Sequence, residues 1–404
     1  MEAKGPLRGL KVIDLSHVMA GPTCSLMLAD MGADVIKVER IPDGDDVRRS
    51  IPPTVGSESA AFLMMNRSKR GIALDLKKEG GRRVLLRLAE SADVLIENYR
   101  RGTMERLGVG YDDLKAVNPR IIYAAISGFG RSGPYKDRPG FDLIAQGLSG
   151  LMSITGEGEG RPPVKVGAPV TDITAGLLLA LGIMSACYER DKTGEGQIVD
   201  TSLLEAGITH TYWQSAICMA TGVSPVAMGS AHPLNAPYQA VQTSDGWINI
   251  GAANQANWLR LVDAIGAPAL AEDPRFLVNH DRMGHLEELS TALGEIFARK
   301  SSAEWLDVLA EAGVPAGPIL SIKEMHENEQ TIARDMVVET DHATLGPVRT
   351  LGLPIKFSRT PGGVCHAAPV YAQHSEEVLR EYGFSDAEIG ALVEEGAVQL
   401  EAVG

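Results

Sequence analysis

From Leu10 to Gly128 the chain repeats one pattern, a short run rich in Val and Ile followed by a stretch of helix length. The runs are LKVIDLS, DVIKVER, RGIALDL, DVLIENY and RIIYAAISG. Strands that are apolar on both faces belong to a parallel sheet covered by helices on both sides. The intervening sequence supplies such helices: Gly21 and Pro22 start one that Gly32 stops, and the Arg-rich KKEGGRRVLLRLAESA follows the third run. The fold class is therefore α/β. One more strand is expected near GQIVDTSLLEA, followed by a long helix through Ala220, and TGVSPVAMGSAHPLNAP, with its Pro and Gly residues, marks an exit from the domain.

Beyond that exit the period changes. Residues 237–252, PYQAVQTSDGWINIGA, alternate apolar and polar around Ser244, Asp245 and Gly246, a hairpin signal. Helices over NWLRLVDAIG, HLEELSTALGEIFAR and SAEWLDVLAEAG follow, then a hairpin-like pair in DMVVETDHATLGPVRTLG and two short C-terminal helices separated at Gly383 and Ser385. With 404 residues the chain has room for two or three domains of roughly 150 residues each. The layout read from this order is a large domain built from both ends, residues 1–205 and 326–404, a small α+β domain over 225–325, and a linker helix over 206–224.

Composition removes several classes of function. The 38 basic and 52 acidic residues leave a net charge of -14, which repels nucleic acid and anionic lipid. The four cysteines, Cys24, Cys187, Cys218 and Cys365, lie far apart, with no C-x-x-C pair and no dense His/Cys cluster, so neither a disulfide framework nor a metal site is expected. The opening MEAKGPLRGLKVIDLS lacks the continuous apolar stretch of a signal peptide. The longest apolar run, Ala175 to Tyr188, is shorter than a bilayer span and is closed by Glu189, Arg190 and Asp191. A cytoplasmic protein is expected, with that run as a buried helix and with no membrane or nucleic acid as partner.

A strand–helix–strand start raises the idea of a nucleotide ligand. The turn after the first strand, SHVMAGPTC, has no G-x-G-x-x-G, which counts against a dinucleotide site and a nicotinamide dehydrogenase. Arg40 follows the second strand and Arg106 the fourth, near the ends where open α/β sheets bind ligands. Single arginines are most often solvated surface charges, and only their shared placement lifts these two above that reading. Arg67, Lys69, Arg70, Lys77 and Lys78 surround the third strand, a local basicity that suits a polyphosphate. Asn98, Tyr99, Arg100 and Arg101 end the next strand, where an aromatic ring and an amide can lie against an adenine or a pantetheine chain.

Asp172 is the sharpest candidate. It stands just before the apolar helix, where a carboxylate faces the positive end of the helix dipole and free backbone amides. Most aspartates in such a place are helix caps. Gly167, Ala168, Pro169 and Gly176 nevertheless keep its surroundings small enough to admit a ligand, and a carboxylate so placed can act as a nucleophile toward a thioester. No G-x-S-x-G elbow competes for that role, and His17, His210 and His232 have no partner visible in sequence.

These motifs together resemble the class III coenzyme A transferases, the group that includes formyl-CoA transferase and the carnitine dehydratase and bile-acid-inducible proteins. The resemblance runs nearly end to end, through GLKVIDLSHVMAGPTCSLMLADMGADVIKVER, NRSKRGIALDLK, ENYRRGTMERLGVGYDDL, GPYKDRPGFDLIAQGLSGLM, VTDITAG and TGEGQIVDTSLLEA. It implies a Rossmann-like large domain, a smaller α+β domain, and a homodimer whose subunits interlock like rings. By position it places CoA binding on Met19, Ala20, Arg40, Leu74, Asp75, Leu76, Lys77, Asn98, Tyr99 and Arg106, with Arg138 in a shifted loop, and the catalytic aspartate on Asp172. It implies no permanently bound cofactor and no metal, with an acyl-CoA and a small carboxylic acid as substrates. Asp172 would attack the donor acyl-CoA to give a mixed anhydride, CoA thiolate would return to make an aspartyl-CoA thioester, and the acceptor acid would run the sequence backwards.

Two departures refine this. The α-methylacyl-CoA racemases of the same superfamily have a His in a G-H-D motif where this chain has Gly140, Phe141 and Asp142. The glycine-rich active-site loop of formyl-CoA transferase is absent, since residues 229–238 read GSAHPLNAPY. GDDVRR, PVKVGAPVTD and AHPLNAPYQA resemble the branch that moves CoA between dicarboxylates, so succinyl-CoA is the expected donor. The alternatives are a racemase-like isomerase, against which Phe141 speaks, and a CoA-binding protein without chemistry, against which Asp172 speaks.

Overall fold

The computed structural model describes residues 5–158 and 160–400, in two compact units. One unit comprises the described residues of 1–149, 167–210 and 328–404; the other comprises those of 150–166 and 211–327. Residues 1–4, part of the stretch read above for a signal peptide, lie outside the described residues.

The first unit is built on a seven-stranded sheet. In chain order its strands are β1 (Lys11–Asp14), β2 (Asp34–Arg40), β3 (Arg70–Leu74), β4 (Val94–Glu97), β5 (Ile122–Ser127) and β6 (Ile198–Ser202). Across the sheet the order is β3, β2, β1, β4, β5, β6, all parallel, with Val398–Gln399 added antiparallel beside β3. The chain builds outward from β1 in one direction, returns, and builds outward in the other. The crevice left where the direction reverses, at the carboxyl ends of β1 and β4, is the place where open α/β sheets bind ligands.

Alternation along the strands decides which residue meets which layer. Val12, Val35, Val94, Ile96 and Ile122 face a layer containing α1 (Ala20–Asp30). Ile13, Ile36, Ile72, Leu95 and Tyr123 face a layer containing α2 (Glu79–Ala89) and the helices Ser375–Glu381 and Asp386–Glu395. Three more helices, α3 (Asp142–Leu148), α4 (Val170–Thr193) and α5 (Leu203–Thr209), join the α1 layer. α1 and α4 approach closely at Gly176, where a Cβ would lie 2.5 Å from the Ala20 carbonyl oxygen and 2.7 Å from Thr23 Cβ. The missing side chain brings the first turns of α4 against the start of α1.

Two expectations change here. α4 is long and apolar enough to cross a membrane by length and composition, and it was expected to be buried. Its Ala175, Leu179 and Ile183 do pack in the core, but Leu177, Leu181 and Tyr188 are exposed on another face. Residues 206–224, expected as one helix, form two, α5 and Tyr212–Thr221. The break follows Thr209, whose hydroxyl donates back to the Ala206 carbonyl at 2.7 Å, a side-chain bond of the kind that competes with helix propagation.

In the second unit the hairpin read from sequence is present, as β7 (Tyr238–Gln242) and β8 (Trp247–Gly251), with β9 (Ala316–Pro318) antiparallel on the far side of β8. Trp258, Leu261, Leu293, Phe297 and Trp305 fill its core. The later hairpin, β10 (Val337–His342) and β11 (Gly346–Leu351), belongs to the first unit.

Gly176→Ala is expected to lower stability by about 1–3 kcal/mol, the usual cost of overpacking a tight contact. The check is the urea midpoint, and an unchanged value would show that α1 and α4 separate without penalty.

Candidate active site

The site is assembled where the sheet reverses direction. Residues 15–19 leave β1 and turn into α1, and Asn98, just after β4, reaches across to hold them. Its Oδ1 accepts the His17 amide and its Nδ2 donates to the His17 carbonyl, both at 2.8 Å. The Tyr99 hydroxyl lies 2.9 Å from His17 Nε2. The backbone of Tyr99 is fixed from behind, its amide donating to Glu97 at 2.7 Å, while Glu97 is also bound by Arg131 at 3.0 Å.

Above this junction lies a cleft of about 380 Å³ whose lining includes His17, Met19, Ala20, Arg40, Asn98, Tyr99 and Asp172. A second cleft of about 300 Å³ shares Asn98, Tyr99, Arg100, Ser127, Gly128, Gly140 and Phe141 with it. The second is strongly basic, with Arg101, Arg106, Lys136 and Arg138 added to Arg100. Gly128 and Gly140 close the base of the basic loop: a Cβ on Gly140 would lie 2.5 Å from the Gly128 Cα. Together the clefts run from one carboxylate to a cluster of cations, a layout that suits a ligand with a reactive end and a phosphorylated end.

Asp172 is not the cap of α4. The helix starts at Val170 with Pro169 in the cap position, and Asp172 is the third residue of its first turn. The cap comes from α3, where Asp142 Oδ1 accepts the Thr171 amide at 3.0 Å and the Thr171 hydroxyl at 2.7 Å, while Oδ2 accepts Gln146 Nε2 at 2.7 Å. Among the described residues no hydrogen-bond donor reaches the Asp172 carboxylate. Burial, and then the charge of Asp142, raise its pKa to about 6. The positive end of the helix dipole favours its anion, so a carboxylate more basic than usual, partly desolvated and free of hydrogen bonds, faces the cleft.

Of the residues singled out from sequence, Met19, Ala20, Arg40, Asn98, Tyr99 and Asp172 meet in the first cleft, and Arg106 and Arg138 join Asn98 and Tyr99 in the second. Arg40 is paired with the half-exposed Asp46. Leu74, Asp75, Leu76 and Lys77 line neither cleft. Leu74 pairs with Arg40 in the sheet register, but its side chain is buried in the α2 layer, and the Asp75 carboxylate accepts the Lys77 amide at 3.0 Å. Sequence reasoning missed Asp142 as the cap of α4, because nothing local links it to Thr171, and it set His17 aside for want of a visible partner. Among the described residues no group of three or more His, Cys, Asp or Glu side chains could hold a metal ion.

A family model for CoA-transferase family III matches residues 7–375 of this chain. The chain belongs to that family. Acetyl-CoA:oxalate CoA-transferase of Acetobacter aceti is 42% identical over 355 residues, covering 88% of this chain and 90% of that protein. Human succinyl-CoA:glutarate CoA-transferase is 36% identical over 394 residues, covering 97% and 90%. The crystal structure of a CaiB/BaiF family protein from Brucella suis, 38% identical, superimposes with a TM-score of 0.84 and covers 94% of this chain and 100% of that one. This family III chain is accordingly an enzyme, a transferase that moves CoA between carboxylic acids.

The raised pKa of Asp172 makes a prediction about stability. Its folded value of about 6 lies above the ordinary 3.8, so the fold prefers the neutral acid and loses stability as pH rises from the lower value through the upper. Asp172→Asn is expected to raise unfolding free energy by about 3 kcal/mol at a pH well above 6 and to change little well below 4. Urea titrations at the two extremes test this, and an equal effect at both would show that Asp172 is not strained by its charge.

Proposed function

We propose that this enzyme takes CoA from a dicarboxylic donor, with succinyl-CoA as the expected one, and passes it to a second small carboxylic acid through covalent intermediates on Asp172. The observation that carries this reading is the Asp172 carboxylate, unbonded and of raised pKa, at one end of a cleft whose other end is cationic. The names of relatives support the donor: succinyl-CoA:glutarate and succinyl-CoA:mesaconate CoA-transferases match across nine-tenths or more of this chain.

The steps need no proton and no redox change. The Asp172 carboxylate adds to the thioester carbonyl, the carbon–sulfur bond breaks, and a mixed anhydride and CoA thiolate result. The thiolate then attacks the Asp172 carbonyl of the anhydride and expels the donor acid, leaving an aspartyl-CoA thioester. The acceptor carboxylate attacks that thioester to form a second anhydride and release thiolate, which attacks the acceptor's acyl carbon and frees Asp172. Each step exchanges one acyl bond for another, so the requirement on protonation is that Asp172 and the acceptor acid both be ionised when they attack. CoA enters as a substrate, held in this reading by Arg40, Arg106 and Arg138 through charge-assisted bonds, with Met19, Ala20, Asn98 and Tyr99 along its path.

The reading includes a homodimer. Leu143, Ile144 and Leu148 on α3 and Leu177, Leu181 and Tyr188 on α4 are exposed apolar side chains on adjoining helices, a surface that a second copy would cover.

Incubation with succinyl-CoA and a panel of monocarboxylic and dicarboxylic acids, followed by mass spectrometry, is expected to yield a new acyl-CoA and succinate in equal amounts. Release of free CoA without a new thioester would mark a hydrolase and contradict the reading. Arg40→Ala and Arg106→Ala are each expected to raise KM for acyl-CoA about tenfold with a smaller change in kcat, the pattern of lost uniform binding. An unchanged KM in both would return them to the surface.

A further inference from the structure

The turn between β1 and α1 has a conformation its sequence does not favour. Val18 has a φ of 67°, and its side chain is about half exposed at 46%, so core packing does not impose that backbone. A β-branched residue in the left-handed region is strained and persists only where its surroundings over-determine it.

Here the surroundings are the buried side chains of Lys37 and Asp45 and the partly buried Asn98, which bind the backbone of residues 16–18. Lys37 Nζ donates to the Ser16 carbonyl at 2.9 Å. Asn98 holds both the amide and the carbonyl of His17. The Val18 amide donates to Asp45 Oδ1 at 3.1 Å. Asp45 is itself fixed, its Oδ1 accepting the Val47 amide at 3.0 Å and its Oδ2 lying 2.8 Å from Lys37 Nζ, with neither side chain exposed. Burial opposes the charge on both, but Lys37 together with His17 holds Asp45 ionised, and Asp45 together with Asp14 and Glu39 holds Lys37 charged. Val18 and the residues that follow it, Met19 and Ala20, line the cleft that holds Asp172.

We propose that Asp45, anchored by Lys37, is a positioning residue for CoA transfer: it draws the Val18 amide inward, forces residue 18 into the left-handed region, and so sets where Met19 and Ala20 stand relative to Asp172. This rests on the reading of the cleft given above. A thioester lying between that wall and Asp172 reacts only when the carbonyl is correctly placed, and a displacement of about an ångström can cost a hundredfold in rate.

Asp45→Asn keeps the shape and one oxygen. The Lys37 ammonium takes that oxygen, since a charge-assisted bond is the stronger one, which turns an amide donor toward the Val18 N–H and releases the turn. The expected result is a fall in kcat of about thirtyfold or more with KM for acyl-CoA within about threefold. Glycine adopts positive φ without strain. Adding Asp45→Asn to a Val18→Gly protein should therefore cost no more than about fivefold in kcat. A role confined to core stability would give the same loss in both backgrounds.

Hydrogen exchange in the unmodified protein gives a reading that does not depend on a variant folding. The Val18 amide should exchange at least about a hundredfold more slowly than an unbonded loop amide. Wild-type kcat in a folded Asp45→Asn protein, an equal loss in both backgrounds, or fast exchange at Val18 would each overturn the proposal. A wild-type enzyme that transfers no CoA at all would instead overturn the reading of the cleft, whatever the exchange rate at Val18.

Discussion

The bond from the Thr171 amide to the Asp142 carboxylate decides what Asp172 is free to do. The first amides of a helix need acceptors, and by local rules Asp172 is the residue that would serve α4. α3 supplies the acceptor instead, and it also satisfies the Thr171 hydroxyl. Asp172 is thereby left in the cleft with its lone pairs uncommitted, in the dipole of the helix that another residue caps. The same Asp142 charge, with burial, lifts Asp172 to a pKa of about 6. A carboxylate with that value is more basic than an ordinary one yet still mostly ionised at neutral pH, which is the compromise a nucleophile needs.

The floor of the site follows the same logic of charges held in place. Asp14, the last residue of β1, is the cross-strand neighbour of Lys37 in the middle of β2. Asp14 accepts Lys69 Nζ at 3.1 Å and the Ser25 hydroxyl at 2.6 Å, and Lys69 also reaches Asn66 at 3.0 Å. Burial opposes ionisation of Asp14, but Lys69 and Lys37 bring its pKa down to about 2. Buried ion pairs add little net stability compared with well-packed apolar groups. Their use here is geometric, because the ammonium groups also bind the carbonyls of Ser16 and Pro22, which shape the turn into α1.

Much of this was legible in the sequence. The alternation that sends Val12 and Ile13 to opposite layers is written in LKVID, and the reversal at Ser244, Asp245 and Gly246 announces its hairpin. Asp172 stood out because glycine and small residues surround it, although its place in the helix was misread by three positions, the cap being Pro169. What stayed hidden depends on contacts between distant segments. Asp142 and Thr171 are brought together by the packing of α3 on α4, and Asn98 closes on His17 across the sheet, so neither pairing leaves a local trace. Leu74 illustrates the converse, since the resemblance puts it among the CoA-binding positions while strand parity buries its side chain in the α2 layer.

The central claim is that Asp172 becomes covalently bonded during transfer. The most direct measurement is to quench the enzyme in hydroxylamine or borohydride while it turns over succinyl-CoA, digest it, and locate the modified peptide by mass spectrometry. The account predicts a hydroxamate, or a reduced side chain, on Asp172 that forms only when acyl-CoA is present. Turnover with no modified Asp172, or an adduct on another carboxylate, would contradict it.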